Sequence, residues 1–175
     1  ALIIRLLKDG GRAAVVLPDG TLFGEGVKTR VKEELLAKCN LHTIVRLPNG
    51  VFNPYTGINT NLLFFEKGTS TKEIWYYEHP YPEGVKSYNK TKPINIKEFD
   101  AEKDWWKKRK GSPLAWKITL DEIKAKNYNL DFKNPHEEAD SLEAPEVILE
   151  QYDKTEAKIT SIQDEIVKVL TEALQ

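Results

Sequence analysis

Short apolar runs separated by turn residues fill the first 80 positions of the chain. Arg12–Leu17 is an apolar run with two adjacent valines, and it ends at Pro18-Asp19-Gly20. This pattern predicts a strand that is buried on both faces, as in a parallel sheet. Alternating or apolar runs predict three further strands, at His42–Leu47, Asn61–Phe65 and Lys72–Tyr77.

Helical spacing of apolar residues appears twice in the same region. Ala1–Lys8 predicts the end of an amphipathic helix, which Gly10-Gly11 terminates. Lys28–Cys39 carries a narrow apolar stripe that predicts a helix lying on a sheet. A strand, a helix and another strand favour a right-handed βαβ unit, so the fold class is α/β and residues 10–67 form one edge of such a domain.

The middle of the chain is less regular. The alternation in Asn95–Asp100 predicts a short extended segment, and Ala115–Leu120 predicts a strand. Thr119 and Glu122 are spaced as a capping box, which predicts a short helix over Thr119–Lys126. Residues 127–135 are expected to be irregular, and residues 136–142 read as an acidic linker.

The tail from Pro145 to Leu174 has a helical pattern with no internal Gly or Pro. Apolar residues alternate at spacings of four and three, which is a heptad seam with Thr155 as its polar member. Two interpretations remain open: the helix packs on its own domain, or it is a coiled-coil arm that docks on a partner's helix. The seam consists of Ile148, Tyr152, Thr155, Ile159, Ile162, Ile166, Val169 and Ala173.

Composition excludes several protein classes. The formal net charge of the 175 residues is -1, which indicates no particular partner, and no apolar run is long enough to span a membrane. One cysteine forms no intramolecular disulfide, which fits a reducing cytoplasm. The chain contains no methionine and begins with alanine, so we expect a piece of a longer protein.

Three segments together resemble a known family. GGRAAVVLPDGTLF, LPNGVFNPYTGINTNLLFFEKG and IKAKNYNLDFKNP occur in this order, and the long helix follows them. In this respect the chain resembles the methylation (M) subunit of type I restriction-modification systems, an adenine-N6 DNA methyltransferase. The resemblance covers most of the chain and implies that residues 10–67 are the last strands of a Rossmann-like sheet, with Ile44–Leu47 and Asn61–Phe65 as its terminal antiparallel hairpin.

The resemblance also implies a domain plan, a cofactor and partners. Residues 1–78 would form the C-terminal portion of the catalytic domain, and residues 143–175 would form a long coiled-coil-like helix. Residues 79–142 would be an irregular region with short helices that connects the two. The intact enzyme would use S-adenosylmethionine, whereas we expect none bound to this fragment. Its partners would be the specificity (S) and restriction (R) subunits and DNA. A single-chain adenine methyltransferase, or a non-catalytic scaffold whose helix is an internal brace or dimer contact, remains the alternative.

The motifs that carry methyl transfer in this family are missing from these residues. Gly24-Glu25-Gly26 is too short for a cofactor loop and follows no first strand, so it is interpreted as a connector. Asn53-Pro54-Tyr55 lacks the second proline of the catalytic turn and comes after the wrong strand. We therefore predict no catalytic residue in this fragment, which would be inactive alone.

One wall of the base pocket is expected here. A methyltransferase flips its adenine out of the duplex, and an aromatic face can hold the extruded base. The resemblance assigns this role to Phe52, in the loop between the last two strands; the alternative is that Phe52 only covers the sheet edge. Tyr55, Thr56 and Asn59 share the loop and are possible DNA contacts, although loops rich in Asn and Gly usually just turn.

The remaining candidates have simpler explanations. Glu102–Lys110 has five basic and two acidic residues around Trp105 and Trp106, so it could follow phosphates, but a solvated helix face with one buried Trp is favoured. The three histidines have no metal-ligand spacing with each other or with Cys39, and we predict no metal site. Cys39 is expected to be a small buried hydrophobe.

Overall fold

The computed structural model describes residues 2–136 and 145–173. These residues divide into two compact units, residues 1–136 and residues 137–175. The first unit contains a five-stranded sheet with helices on both faces, and the second contains one long helix. The chain is therefore a mixed α/β protein.

The strands are β1 Arg12–Pro18, β2 Cys39–Arg46, β3 Thr60–Lys67, β4 Glu73–Glu78 and β5 Ala115–Thr119. Their order in the sheet is β1-β3-β2-β4-β5. β3 lies antiparallel between β1 and β2, so β1 and β2 point in the same direction. β4 adds parallel to β2, and β5 closes the far side antiparallel to β4. The β2–β3 pair is antiparallel as predicted, but the prediction that it is the terminal hairpin is wrong, because β4 and β5 extend the same sheet.

The helices of the first unit pack on both faces of this sheet. They are α1 Leu2–Leu6, α2 Asp19–Leu22, α3 Val27–Lys38, α4 Asp100–Lys107 and α5 Leu120–Ala125, with a 3-10 helix at Ile96–Phe99. The larger core joins α3 and α5 to one face of the sheet through Leu36, Ile123, Ile44, Leu63 and Tyr76. The smaller core joins the 3-10 helix and α4 to the other face.

Alternation along each strand explains these two cores. In β3, Leu63 and Phe65 point into the larger core, whereas Leu62 and Phe64 point to the smaller one. Cys39 is fully buried in the larger core, where burial raises the pKa of its thiol, as expected for a small hydrophobe.

Most predicted elements are present with shifted ends. Strands occupy all five of the positions predicted at Arg12–Leu17, His42–Leu47, Asn61–Phe65, Lys72–Tyr77 and Ala115–Leu120. α5 starts with the predicted capping box, in which Thr119 Oγ1 accepts from the Glu122 backbone N–H at 3.4 Å. The prediction that β1 is buried on both faces is wrong. Its residues alternate between exposed and half-buried, because β1 is antiparallel to β3 and has a strand on one side only among the described residues.

The prediction of an extended segment at Asn95–Asp100 is also wrong. Asn95 caps the 3-10 helix, since its side chain accepts from the Lys97 N–H at 3.0 Å while Glu98 accepts from the Asn95 N–H at 2.8 Å. This is a capping box of the same kind as at Thr119, and its local hydrogen bonds outweigh the alternation of side chains.

The second unit contains α6, Pro145–Ala173. Its 29 residues are consistent with a rod about 44 Å long. The described seam residues are 51–62% exposed: Tyr152, Ile159, Ile162, Ile166 and Val169. The side chain of Ile148 and the linker residues 137–144 lie outside the described part. No described helix is long and apolar enough to cross a membrane.

Candidate nucleic-acid interface

A 13-residue loop, residues 47–59, connects β2 to β3 at one edge of the sheet. The carboxyl ends of β2 and β1 both reach this edge, because Pro18 at the end of β1 pairs with Thr60 at the start of β3. Ligands of open α/β sheets bind outside the carboxyl ends of parallel strands. The loop that carries all four predicted DNA-facing residues is therefore at the expected edge.

Backbone hydrogen bonds give the tip of the loop a defined shape. The Phe52 carbonyl accepts from the N–H groups of Tyr55 at 2.9 Å and Thr56 at 3.1 Å. Asn53 N–H donates to the Gly50 carbonyl at 3.0 Å, and Gly50 has a φ of +78°, which favours glycine. The tip is a compact folded turn.

The four candidate residues differ in what they present to solvent. The Phe52 side chain is 39% exposed and Tyr55 is 90% exposed. Thr56 is half-buried, and its hydroxyl oxygen accepts from the Ile58 N–H at 3.1 Å, so it shapes the loop. Asn59 is exposed, and its carbonyl accepts from the Asp19 N–H at 3.0 Å. Phe52 and Tyr55 thus provide the accessible aromatic surface.

The end of β1 holds one side of the loop. Besides the Asp19–Asn59 bond, the Asn61 amide donates to the Asp19 carboxylate at 2.5 Å. Asn61 is fully buried at the start of β3. Its side-chain oxygen Oδ1 is buried without a hydrogen-bond partner among the described residues. A buried amide that fixes a carboxylate ties the two strand ends together at the candidate site.

The segment after β4 holds the other side of the loop. The Tyr81 hydroxyl donates to the Asn49 carbonyl at 2.7 Å, and the Asn53 side-chain amide donates to the Tyr88 carbonyl at 3.3 Å. A Cβ on Gly50 would lie 3.1 Å from the Tyr88 carbonyl oxygen, so the two backbones touch closely.

A buried polar cluster lies behind Tyr88. The Tyr88 hydroxyl donates to the Glu98 carboxylate, and burial together with this bond raises the pKa of Tyr88 well above its ordinary value. His79 Nδ1 is 2.6 Å from Glu102 Oε1, and both side chains are almost fully buried. The His79 ring stacks on Phe99 with centroids 4.6 Å apart. This cluster fixes the 3-10 helix and α4 against the segment after β4.

The basic segment with two tryptophans lies against the sheet. Trp106 contacts Phe64 at a centroid distance of 4.9 Å, and Trp105 contacts Tyr77 at 5.0 Å. The Arg109 guanidinium lies 4.5 Å from the Trp106 ring centre, and burial lowers its pKa. Both tryptophans are half-buried, instead of the single buried one favoured by the sequence, and their rings are engaged with the protein.

Sequence reasoning missed the residues that support the loop. Asn61, Tyr81 and the His79–Glu102 pair depend on contacts between residues far apart in the chain. The one local signal was Asn61, a polar residue directly before the apolar run of β3. No group of three or more His, Cys, Asp or Glu residues with metal-binding geometry occurs among residues 2–136 and 145–173.

A lysine side chain spans the connection between β1 and α3. A Cβ on Gly24 would lie 2.2 Å from the Lys28 side chain. Lys28 Nζ donates to the Gly20 carbonyl at 2.9 Å, so this bond links α3 to α2.

Comparison with known proteins gives consistent matches. The model of the N-6 DNA methylase family matches residues 1–144. The methylase subunit of the type I restriction enzyme EcoEI from Escherichia coli is 56% identical over 180 residues, which cover 99% of this chain and 37% of that protein. The chain thus spans little more than a third of this relative.

Solved structures agree with the sequence matches. The modification subunit of a putative type I restriction enzyme from Vibrio vulnificus YJ016 superimposes with a TM-score of 0.74 at 49% identity, over 82% of this chain and 32% of that one. A chain from a structure describing complex assembly and conformational transition of a type I restriction-modification system gives 0.70 at 38% identity, over 94% and 37%.

Proposed function

The chain belongs to the N-6 DNA methylase family, and we propose that it is the C-terminal part of the methylation subunit of a type I restriction-modification enzyme. In the intact enzyme this subunit methylates the N6 amine of adenine at specific DNA sites. The observation that carries the role of this chain is Phe52, a partly exposed aromatic residue on an anchored loop at the carboxyl edge of the sheet.

Within the intact subunit, the chain would complete a larger Rossmann-like sheet. The supporting observation is β1, which has no second neighbouring strand among the described residues and leaves Val16 49% exposed. An edge strand with an exposed apolar side chain is suited to pairing with a further strand and packing under a further helix. The part of the EcoEI relative beyond the matched region could supply both.

We assign roles in the reaction only to residues that this chain contains. S-adenosylmethionine would supply the methyl group, and we assign neither its binding nor a catalytic residue to these residues. Phe52 would stack on the extruded adenine, while Tyr55, Thr56 and Asn59 would line the path of the DNA. Stacking of this kind contributes roughly 1–3 kcal/mol per base.

The exposed seam of α6 supports a partner helix. A stripe of apolar residues at heptad spacing packs against a second helix in coiled coils. We propose that Ile148, Tyr152, Ile159, Ile162, Ile166 and Val169 dock on the helical parts of the specificity (S) subunit. The restriction (R) subunit and DNA would be reached through the assembled complex, in the cytoplasm.

Substitution of Phe52 tests the proposal. In the intact enzyme, Phe52→Ala should raise the KM for DNA about tenfold, because the flipped base loses its stacking partner. Phe52→Tyr keeps the aromatic face, so its KM for DNA should stay close to that of the unsubstituted enzyme. Methylation kinetics with a KM unchanged by Phe52→Ala, in a protein with an unchanged unfolding curve, would contradict the assignment.

A further inference from the structure

We infer that the segment after β4, residues 79–93, positions the base-binding loop 47–59, with Tyr81 and Tyr88 as its positioning residues. The inference rests on the proposed function of Phe52 and names the part of the protein that keeps Phe52 in place. The 79–93 segment lies outside the strands and touches the loop from the side opposite to Asp19.

The contacts bracket Phe52 in the sequence. Tyr81 Oη donates to the carbonyl of Asn49, three residues before Phe52, at 2.7 Å. The Asn53 side chain, directly after Phe52, donates to the Tyr88 carbonyl at 3.3 Å. The loop is therefore held on both sides of its aromatic residue by one segment.

Close packing adds to these two hydrogen bonds. Gly50 lies so near the Tyr88 carbonyl oxygen that a Cβ would approach it to 3.1 Å. The Tyr81 and Tyr88 rings are 5.3 Å apart, so the two positioning residues also support each other.

Tyr88 is itself immobilised. Its side chain is almost fully buried, and its hydroxyl donates to Glu98, whose backbone belongs to the 3-10 helix. Glu98 Oε2 is 4.0 Å from His79 Nε2, and His79 is paired with Glu102 of α4. The loop is thus connected to the folded core through side chains, and not only through its two stems.

Such anchoring has a binding consequence. A loop that must be ordered when the base arrives loses affinity through conformational entropy, whereas a preorganised loop does not. The Tyr81 hydroxyl should therefore contribute to DNA binding without touching DNA, by keeping the Phe52 ring in its receiving position.

The test compares two Tyr→Phe substitutions in the intact enzyme. Tyr81→Phe removes only the hydroxyl that binds Asn49, and it should raise the KM for DNA about three- to tenfold with kcat changed less than about twofold. Tyr128→Phe is the matched control, because its hydroxyl lies 3.4 Å from Glu33 on the other side of the sheet. It should leave the KM unchanged.

Two readouts separate positioning from general stability. Hydrogen exchange at the Tyr55 and Thr56 amides should be faster in Tyr81→Phe than in Tyr128→Phe. In a Phe52→Ala background, adding Tyr81→Phe should have no further effect on the KM, since the residue being positioned is gone.

Each contrary outcome is distinct. Unchanged exchange at the loop amides, or an equal KM increase by Tyr81→Phe with and without Phe52, would overturn the positioning role while leaving Phe52 in place. A KM that Phe52→Ala leaves unchanged would refute the base-stacking proposal, and the positioning of that residue for DNA would fall with it.

Discussion

At the scale of single residues, the hydrogen bond from buried Asn61 to half-buried Asp19 joins the ends of two strands at the candidate interface. The Asn61 amide is fully buried and donates to a carboxylate that belongs to the turn after β1. The backbone N–H of Asp19 also donates to the Asn59 carbonyl. The Asn61–Asp19 bond therefore helps to determine where the loop returns to the sheet.

Substitution of Asn61 by aspartate tests this bond. Asn61→Asp would place two carboxyl groups at hydrogen-bond distance, so the free energy of unfolding should fall by about 1–3 kcal/mol at about pH 7. The loss should shrink at about pH 5, where one of the two carboxyls takes a proton. Urea unfolding at both pH values measures it.

The double variant Asp19→Asn with Asn61→Asp serves as the control. It restores one amide and one carboxylate and should recover part of the lost stability. Equal stability of Asn61→Asp and the unsubstituted chain at both pH values would show that this contact contributes little.

Residues of this kind mark the limit of what the sequence predicts about the site. Phe52, Tyr55, Thr56 and Asn59 are adjacent in sequence, and a family resemblance was enough to select their loop. Their supports, Tyr81 above all, lie some 30 residues away. Nothing in a local pattern indicates which distant hydroxyl meets which carbonyl, since that depends on the packing of the whole sheet.

At the scale of elements, α6 exposes an apolar stripe from Tyr152 to Val169. Five described seam residues are more than half exposed, while lysines and carboxylates flank them. The helix also has ion pairs along its surface, such as Lys154 with Glu150 at 2.7 Å. Ion pairing between neighbouring turns therefore stabilises the helix itself, whereas the exposed apolar stripe is available for packing against another helix.

A charge on the seam should weaken assembly. Ile162→Glu puts a carboxylate into the proposed coiled-coil contact and should reduce binding of the specificity subunit by at least tenfold, because burial of an unpaired charge is costly. Pull-down or calorimetric titration with the specificity subunit measures this.

The matched control for the seam is Val167→Glu. Val167 is 62% exposed, against 56% for Ile162, but lies about 100° around the helix from Ile166. Its substitution should leave binding nearly unchanged. Equal effects of both substitutions would argue against a contact through the seam.

Elements with a strong period or cap were predictable, and elements set by neighbours were not. The capping box of α5 depends on residues within one turn, whereas the buried face of α3 includes Lys32 and leaves the predicted stripe residue Val31 38% exposed. The burial of β1 depends on which strands lie beside it, and the sequence pattern of a short valine-rich run is the same for a central and an edge strand. The strand was predicted correctly but its environment was not.

At the scale of the whole molecule, the proposed DNA-facing loop occurs in a chain whose 175 residues lack the family's Gly-rich cofactor loop and catalytic turn. We expect the 175 residues alone to bind no S-adenosylmethionine in calorimetric titration up to about millimolar concentration. The reason is that the Gly-rich loop that would hold the cofactor in this family does not occur in these residues. The intact methylation subunit should bind S-adenosylmethionine under the same conditions. Stoichiometric binding by the 175 residues alone would contradict the proposal that the cofactor site lies in the rest of the intact subunit.

The position of β3 between β1 and β2 also has a consequence for synthesis on the ribosome. β1 is translated before its pairing strand β3, which ends about 50 residues later, at Lys67. At roughly 5–20 residues per second this delay amounts to several seconds. During that interval the edge of the nascent β1 that pairs with β3 is unpaired, so this region is where we expect a chaperone to protect the growing polypeptide.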